Sequence, residues 1–499
     1  MSLNFPFLTT LILIPALSAL FILLFIKNDS EYSVNNINTM GFWATLLNFA
    51  ISLVILFKFD FQDTSFQFNE SYLWITNLDI GYRVGVDSIS LLLVILTTSI
   101  MPLCMIFSKN SIKFKQKEYV ISFLLLESFI IGTFIATDLL LFYIFFETTL
   151  IPMFIIIGIW GGKDKIYAAY KFFLYTFFGS ILFLLAIITI IISAKTSNLI
   201  MLYEIVPNMF QGQTANYLWL ALFIAFAIKI PMFPFHTWLP DAHVQAPTSG
   251  SVILAAILLK MGAYGLIRFS LPLFPESSYL FKDLVYYLSI IAIIYTSIIA
   301  CSQNDIKKLI AYSSIAHMGY VTLGIFTFDK TGMIGAIFQM ISHGIISGAM
   351  FFMIGMIYDR LHTRDIKKLG GIANIMPNYS IFFMILTFGS IALPATSGFI
   401  GEFLILLAAY KVSPAIMIFA AFGVVLGAVY MLRLAKSAIM GEVENKEILS
   451  LKDISKDEFI ILLPFAILVI LLGIYPAIIN DILNPAISDY FQELIPNKI

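Results

Sequence analysis

Long apolar stretches separated by short polar segments run through the whole of the 499-residue sequence. A helix that crosses the hydrocarbon core of a bilayer needs roughly 20 mainly apolar residues. The pattern therefore predicts an all-α, polytopic membrane protein with about fourteen transmembrane helices, numbered here as spans in chain order. The predicted bounds are 5–26, 37–57, 88–108, 118–136, 139–159, 168–193, 217–240, 248–269, 280–301, 308–327, 331–357, 379–409, 413–435 and 459–479.

The segment 59–86 differs from the spans, because polar and aromatic residues alternate along it, for example at Phe66, Phe68, Tyr72 and Trp74. A period of two is typical of a β-strand. The segment is therefore predicted to form a hairpin or an interfacial segment on one face of the membrane. The first span lacks a preceding basic region and a small-residue cleavage site, so we expect it to be retained and not removed as a signal peptide.

Lysine and arginine are concentrated in the loops that follow odd-numbered spans. The positive-inside rule assigns such loops to the cytoplasm or the matrix. The charge distribution thus predicts both termini on the opposite side of the membrane, and an even number of spans.

Two spans are predicted to be broken, the seventh at Pro231 and the twelfth at Pro394. Proline removes a backbone donor and clashes with the preceding turn, and in lipid the freed groups need protein or a water-filled cavity around them. Either break alone is also explained by an ordinary packing kink. Breaks in corresponding positions of two halves, however, are typical of transporters built from inverted repeats.

The breaks suggest a division of the chain into four parts. Spans 4–8 and spans 9–13 would form two inverted repeats, each with its break in the fourth helix. The predicted parts are 1–117 (spans 1–3), 118–270 (repeat one), 280–438 (repeat two) and 439–499 (span 14 and tail).

The amino-acid composition excludes several other classes of protein. Charged residues make up 12% of the chain and hydrophobic residues 60%, whereas soluble domains carry about a quarter charged residues. Cys104 and Cys301 lie far apart in apolar runs, which argues against a disulfide scaffold, a zinc site or a cysteine-ligated iron–sulfur cluster. The net charge of −1 argues against nucleic-acid binding, and the chain has no glycine-rich nucleotide loop. We therefore expect no metal or cofactor in this chain.

Four ionisable residues lie in the middle of predicted spans: Glu147, Lys229, Lys260 and Glu402. A charge at the centre of a spanning helix costs about 2.5–3.5 kcal/mol even on a lenient insertion scale, so these side chains should face the bundle interior. A buried Glu147–Lys229 ion pair that only fixes helix packing is the simpler interpretation. Desolvation brings lysine and glutamate pKa values towards neutrality, which is what a proton relay requires.

Two of the five histidines, His317 and His343, also lie in mid-span. Ser313 precedes His317 by four residues and Ser347 follows His343 by four, so each imidazole shares a helix face with a hydroxyl. This arrangement favours a proton-conducting role. A haem ligated by both histidines is the alternative interpretation.

Three further positions receive separate interpretations. His236 and His243, with Asp241, superficially resemble a metal site, but Pro240 lies between them and the segment is predicted at a membrane surface, so a loop-shaping role is favoured. Glu127 in span 4 is a buried carboxylate to which the sequence assigns no role.

Long segments of the sequence resemble one protein family over essentially the whole chain. The segments 226–275, 138–162, 310–321, 341–352 and LPATSGFIGEFLIL at 393–406 are similar to hallmark stretches of the antiporter-like subunit M family (mitochondrial subunit 4) of respiratory complex I. The resemblance implies fourteen spans with inverted repeats of helices 4–8 and 9–13.

The resemblance also implies roles for individual residues. Glu147 corresponds to the glutamate of the fifth helix, Lys229 to the lysine of the broken seventh, and Lys260 to the connecting lysine of the eighth. Glu402 matches subunit M, whereas the sister subunits L and N usually carry lysine there. Glu127 matches no hallmark. The implied proton relay consists of Glu147, Lys229, Lys260, His317, His343 and Glu402.

What the resemblance implies about function is proton translocation by a membrane-arm subunit of NADH:quinone (ubiquinone) oxidoreductase. The redox reaction, with its flavin and iron–sulfur clusters, would take place in partner subunits, and subunits L and N and lipids would be the neighbours. Glu147 approaching or leaving Lys229 would shift the pKa of that lysine, and a proton would then move through Lys260 and His317 to Glu402 and out. The expected location is the bacterial inner (plasma) membrane or the mitochondrial inner membrane. The alternatives are a subunit of a multisubunit cation/proton antiporter and a purely structural scaffold.

Overall fold

The computed structural model describes residues 5–27, 30–443 and 445–494. Parts of the predicted regions 1–117 and 439–499 therefore lie outside the described residues. Most of the described chain is helical, and the secondary structure divides into an N-terminal group, a middle group and a C-terminal group of helices. The N-terminal group consists of α1 (Phe7–Phe25), α2 (Glu31–Lys58), α3 (Ser88–Ser111) and α4 (Gln116–Ile135).

The middle group contains several short helices joined end to end. Its α-helices are α5 (Leu139–Thr148), α6 (Leu150–Trp160), α7 (Lys165–Ala194), α8 (Leu199–Met209), α9 (Gly212–Lys229), α10 (Trp238–Gln245), α11 (Thr248–Ile253), α12 (Leu259–Gly265), α13 (Leu271–Leu273) and α14 (Pro275–Leu280). Two π-helical segments, Leu254–Leu258 and Leu266–Ser270, join α11, α12 and α13 into one continuous rod.

The C-terminal group consists of eight α-helices among the described residues and includes the longest described helix, Lys330–Leu361. They are α15 (Lys282–Ser302), α16 (Ile306–Phe326), α17 (Lys330–Leu361), α18 (Pro377–Ser390), α19 (Ser397–Val412), α20 (Pro414–Ala438), α21 (Lys456–Ile474) and α22 (Ala477–Asp489). Short 3₁₀ segments at Ile366–Lys368, Ile372–Asn374 and Lys446–Ser450 lie in the connections, and a π-helical turn, Tyr490–Leu494, follows α22.

Polar side chains at the helix starts explain several of the boundaries. Asp138, Asp305 and Asp329 each accept hydrogen bonds from backbone N–H groups in the first turn of the helix that follows, and Ser455 forms a capping box with Glu458. Such caps satisfy N–H groups that a helix leaves free at its start. They fix the helix ends where the chain leaves the apolar region.

Twelve helices among the described residues are long and apolar enough to cross a membrane, or thirteen if a pair bent by 115° at residues 366–390 is one span. The twelve correspond to twelve of the predicted spans. The two spans that are missing from this set are the two predicted to be broken, 217–240 and 379–409. The chain is therefore a polytopic membrane protein, and a count of fourteen crossings requires two interrupted helices.

Both regions predicted to contain a break are interrupted in the structure. Helix α9 ends at Lys229 and α10 begins at Trp238, with Pro231 between them. Helix α18 ends at Ser390 and α19 begins at Ser397. In the second interruption Ala392 and Ala395 take positive φ angles of 53° and 71°, a conformation that L-residues rarely adopt. The surrounding structure therefore maintains the backbone of this interruption in an unfavourable conformation.

The segment after α2 forms the hairpin that the alternating pattern predicted. Strand β1 (Gln67–Ile75) pairs antiparallel with β2 (Ile80–Val86), and a 3₁₀ turn, Thr76–Leu78, connects them. This strand pair is the departure from an all-α fold within the described residues. Tyr72 and Trp74 are exposed, as is usual for aromatic residues at a membrane–water interface.

Burial separates inner helices from outer ones. The most apolar stretch of α17 is buried throughout, whereas less than half of the corresponding stretches of α7 and α20 is buried. Large side chains such as Phe178 on α7 and Phe422 on α20 are exposed, which suits helices that face lipid. Polar residues within this stretch of α17 therefore face other helices and not hydrocarbon.

A buried ion pair between Arg268 and Asp87 joins the middle group to the start of α3. Because removing one partner of a buried pair costs about 3–5 kcal/mol, Arg268→Met is expected to lower the thermal unfolding midpoint of the assembled protein strongly. Asp87 also caps α3 through the N–H of Ser90, a bond that asparagine retains.

The matched control is the double variant Arg268→Met/Asp87→Asn, which removes both charges and keeps the cap. We expect it to be more stable than the single variant. Equal midpoints for the wild type and Arg268→Met would contradict the importance of the pair.

Candidate functional site

Four of the predicted site residues come together in the middle of the bundle. Lys260 lies on α12, His343 on α17, His317 on α16 and Glu402 on α19. Their side chains form a continuous row, in the order Lys260, His343, His317, Glu402. All four residues are at most 9% exposed, so the row is enclosed by protein.

Lys260 begins the row, and its side chain is fully buried. Its Nζ donates to the backbone oxygen of Ala255, 2.6 Å away, which belongs to the π-helical segment before α12. A π-helical turn replaces the regular i→i+4 hydrogen bonds of the α-helix by i→i+5 bonds. Within this turn, the backbone oxygen of Ala255 accepts a hydrogen bond from the side chain of the residue five positions later. The local backbone thus provides the acceptor that a buried ammonium needs.

The second contact of Lys260 is His343. The Nζ of Lys260 lies 2.6 Å from Nδ1 of His343. Since an ammonium group only donates, Nδ1 accepts, and the proton of a neutral ring is then assigned to Nε2. That Nε2 has no hydrogen-bond partner among the described residues. His343 can therefore take a proton at one nitrogen and release the other proton at the opposite nitrogen.

His317 and Glu402 form the other end of the row. Nδ1 of His317 lies 2.8 Å from Oε1 of Glu402, and the rings of His317 and His343 are 5.6 Å apart between centroids. Gln339 donates from Nε2 to the same Oε1 of Glu402 at 3.2 Å. The carboxyl group thus receives two hydrogen bonds from two different helices.

A small cavity lies beside the two imidazoles. Its lining includes His317, His343, Gln339, Ser313 and Ser347, together with Ser390 at the end of α18, and it offers about 10 Å³ to the centre of a water molecule. That volume holds about one water molecule. The two serines predicted to share a face with the histidines both line it. The space does not fit a porphyrin, so the interpretation of His317 and His343 as haem ligands does not suit this geometry.

Glu147 and Lys229 lie apart from the row, on α5 and α9. No ion pair joins them among the described residues, so the predicted packing pair is not formed in this structure. Lys229 donates instead to Oγ1 of Thr149 at 3.4 Å, and its ammonium lies 4.8 Å from the ring centre of Phe146. A cation over an aromatic face is favourable in a desolvated site. Lys229 is thus held without a direct ion pair to Glu147, although the two charges remain close enough to act on each other.

Helix α12 packs closely on α9 and brings the two lysine-bearing helices together. A Cβ atom added at Gly262 would lie 2.8 Å from the backbone oxygen of Phe226 and from the side chain of Ile230. The absence of a side chain at this position therefore allows the close approach, two residues after Lys260.

The segment that superficially resembled a metal site is built differently. Asp241 pairs with Lys171 at 2.7 Å, and the ring of His243 stacks on Phe351 at 4.5 Å. Among the described residues no group of three or more histidine, cysteine, aspartate or glutamate side chains could hold a metal ion. The predicted loop at the membrane surface is wrong, because the structure places residues 238–245 in helix α10 and buries His243 completely. The two contacts instead hold this helix against α7 and α17.

Gln339 and Thr149 are the site residues that sequence reasoning missed. Gln339 lies four residues before His343 in the same helix, so helical spacing already puts the two on one face. A neutral amide in the middle of a spanning helix costs less free energy than a charge, so the argument from buried charges does not identify Gln339. Thr149 gave no sequence signal, because its contact with Lys229 depends on the packing of α9.

Similarity to known proteins extends over most of the chain. Residues 136–427 match the family model described as NADH:quinone oxidoreductase/Mrp antiporter, transmembrane. NADH-quinone oxidoreductase subunit M of Rickettsia conorii is 50% identical over 493 residues, which cover 98% of this chain and 99% of the relative.

Two solved structures are similar as well. A chain in the structure of respiratory complex I from Thermus thermophilus with bound NADH superposes with a TM-score of 0.88 at 27% identity, over 98% of this chain and 99% of that chain. A chain of the Mrp complex from a Dietzia species gives a TM-score of 0.82 at 22% identity, over 96% of this chain and 52% of that chain, and shares the fold. The 50% identity to subunit M over nearly the full length and the matching family model establish that the chain belongs to the NADH-quinone oxidoreductase subunit M family.

Proposed function

We propose that the chain is a membrane-arm subunit of NADH:quinone oxidoreductase, respiratory complex I, and that it translocates protons through a buried relay of glutamate, lysine and histidine side chains. The observation that carries the proposal is the continuous row Lys260–His343–His317–Glu402. A row of titratable groups across four helices is costly in a membrane, and helix packing alone does not require it.

The row supports a stepwise transfer of a proton from Lys260 to Glu402, in which each nitrogen either accepts or releases the proton. Lys260 gives a proton to Nδ1 of His343, and the proton on Nε2 of His343 leaves towards the cavity. A water molecule of the size that the cavity holds would pass it to His317. His317 then gives the proton on Nδ1 to Oε1 of Glu402, 2.8 Å away. After one transfer each histidine carries its proton on the opposite nitrogen and Glu402 carries the transferred proton. Release of that proton from Glu402, uptake of a proton by Lys260 and return of both rings to their starting tautomer complete the cycle.

Glu147 and Lys229 would act as the switch that starts the transfer. In this structure Lys229 contacts Thr149 and Phe146 and forms no direct ion pair with Glu147. An opposite charge at a few ångströms favours the charged form of each partner, so approach of Glu147 would hold the proton on Lys229 and withdrawal would release it towards Lys260.

The architecture we propose has fourteen spans, with inverted repeats at 118–270 and 280–438 flanked by 1–117 and 439–499. The interruptions at Pro231 and Pro394 support it, since each falls in the fourth span of its repeat. Lys229 precedes the first proline by two residues, and Glu402 follows the second by eight. Open backbone at such places is tolerated where it lines a polar cavity. Ser390 and Gly398 at the second interruption line the cavity beside His317.

The partners are other subunits of complex I in the bacterial or mitochondrial inner membrane. We propose the counterparts of subunits L and N as direct neighbours, with lipids on the outer helices. Flavin and iron–sulfur clusters would be held by partner subunits, where NADH and quinone react. This chain would receive the released energy as a change in electrostatics along the membrane arm.

A subunit of a multisubunit cation/proton antiporter is the second candidate, because the chain shares its fold with part of the Mrp complex. The higher identity to subunit M over nearly the full length favours complex I. The two candidates differ in the source of energy, which is NADH oxidation in one and an ion gradient in the other.

Gentle purification of the tagged chain separates the candidates. We expect flavin, iron–sulfur absorbance and NADH–quinone activity to copurify with it, and proton movement in closed vesicles to depend on NADH. Copurification with hydrophobic partners alone, together with sodium-dependent proton exchange without NADH, would favour the antiporter.

A further inference from the structure

Glu127 on α4 is a buried carboxyl group that the proposed relay does not use. It is fully buried, and so is the residue that faces it from α2, Asn48. Nδ2 of Asn48 donates to Oε1 of Glu127 at 2.9 Å. The pair lies in the N-terminal group of helices, outside the row that ends at Glu402.

The remaining oxygens of this pair reveal the state of the carboxyl group. Oε2 of Glu127 and Oδ1 of Asn48 are both buried and have no hydrogen-bond partner among the described residues. Both atoms only accept if the carboxyl group is ionised, so an ionised group leaves two buried acceptors unsatisfied, which is rare in proteins. A proton on Oε2 changes this, because the resulting O–H can donate to Oδ1. One proton then satisfies both atoms.

The surroundings of Glu127 contain nothing that compensates a negative charge. The groups that act on it are Asn48 and, on α3, the thiol of Cys104, and no lysine or arginine pairs with it among the described residues. The hydroxyl of the next residue, Ser128, donates its hydrogen bond to the backbone oxygen of Ile12 on α1 and not to Glu127. A lone carboxylate in such a place is very unfavourable.

We infer that Glu127 is a neutral carboxylic acid that keeps its proton and forms a reciprocal pair of hydrogen bonds with the carboxamide of Asn48, thereby joining α2 to α4. The pair is a fixed polar clamp and not a station of the relay. In a bilayer, where apolar contacts between helices bring little net gain, such interhelical hydrogen bonds specify which helices associate and in which register.

Glu127→Gln tests the inference in the assembled complex. A carboxamide presents N–H where the acid presents O–H, so we expect unchanged assembly, thermal stability and proton translocation. The infrared difference spectrum between the wild type and this variant at about neutral pH should show loss of the carbonyl stretch of a protonated carboxylic acid. Glu118→Gln is the matched control, since Glu118 is an exposed residue of the same helix and its loss should remove a carboxylate band instead.

The inference is overturned if Glu127→Gln removes a carboxylate band, or if it suppresses proton translocation at normal assembly. It is equally overturned if sodium raises the thermal stability of the wild type but not of the variant, because a cation and not a proton would then bridge the two oxygens. Glu127→Ala, which loses both hydrogen bonds, should lower the unfolding midpoint. A failure of this inference leaves the relay proposal untouched, since no relay residue is altered.

Discussion

Lys260→Met is expected to stop proton transfer through this chain while leaving NADH oxidation able to proceed. The substitution replaces the ammonium that contacts His343 with an apolar side chain of similar length, so the row loses its first titratable member. A positioned acid–base group typically contributes a factor of about 10²–10⁴ to a proton-transfer rate, and we expect the transfer rate to fall by at least about a hundredfold. The proton signal of the complex should drop to the share that other membrane subunits carry.

The measurement is quenching of a pH-sensitive dye in closed vesicles, with NADH oxidation recorded on the same sample. Lys436→Met is the matched control, because Lys436 is exposed on α20 and its loss should leave the signal unchanged. Lys260→Arg adds a second comparison, since arginine keeps the charge but does not release its proton. Normal proton movement in Lys260→Met at normal assembly would remove Lys260 from the relay.

Glu147→Gln is expected to suppress proton translocation several-fold, because the carboxamide keeps the size of the side chain but cannot attract the ammonium of Lys229. The two residues do not form an ion pair in this structure, and Lys229 is held by Thr149 and Phe146. In the proposed switch, Lys229 would then remain in this position. The loss of a close opposite charge removes the effect that favours its protonated form.

The same substitution one helix away provides the control for Glu147→Gln. Glu127→Gln also exchanges a carboxyl group for a carboxamide in the first half of the chain, but we expect it to leave proton translocation intact. A deficit of equal size in both variants would indicate a general effect on packing. Proton movement at the wild-type level in Glu147→Gln would show that Glu147 is not the switch.

Much of the site could be predicted from the sequence, because a charge in the middle of a spanning helix has to face protein. This requirement predicts that Lys260 and Glu402 lie in the interior of the bundle. His317 and His343 were predicted from their mid-span positions and from the serines on the same helix faces. The order of the contacts could not be predicted. His343 lies between Lys260 and His317 because of how α12, α16 and α17 cross, and no sequence spacing contains that information.

The fold was predicted where the apolar pattern is strong, and less well where tertiary packing decides. Twelve spans and the hairpin of β1 and β2 follow from the patterns of the sequence. The sharp bend at residues 366–390 and the π-helical segments around α12 do not, because they depend on contacts with neighbouring helices. The oxygen of Ala255 that accepts from Lys260 belongs to one of these segments, so a feature invisible in the sequence supports the central lysine.

Passage of protons through this chain during turnover of the complex is the core of the proposed mechanism. It is tested most directly by the number of protons moved per NADH oxidised, measured in closed vesicles that contain either the wild-type complex or the complex with Glu147→Gln. We expect a lower ratio in the variant, with electron transfer still measurable. An unchanged ratio, in a complex that assembles normally and oxidises NADH at the normal rate, would contradict it.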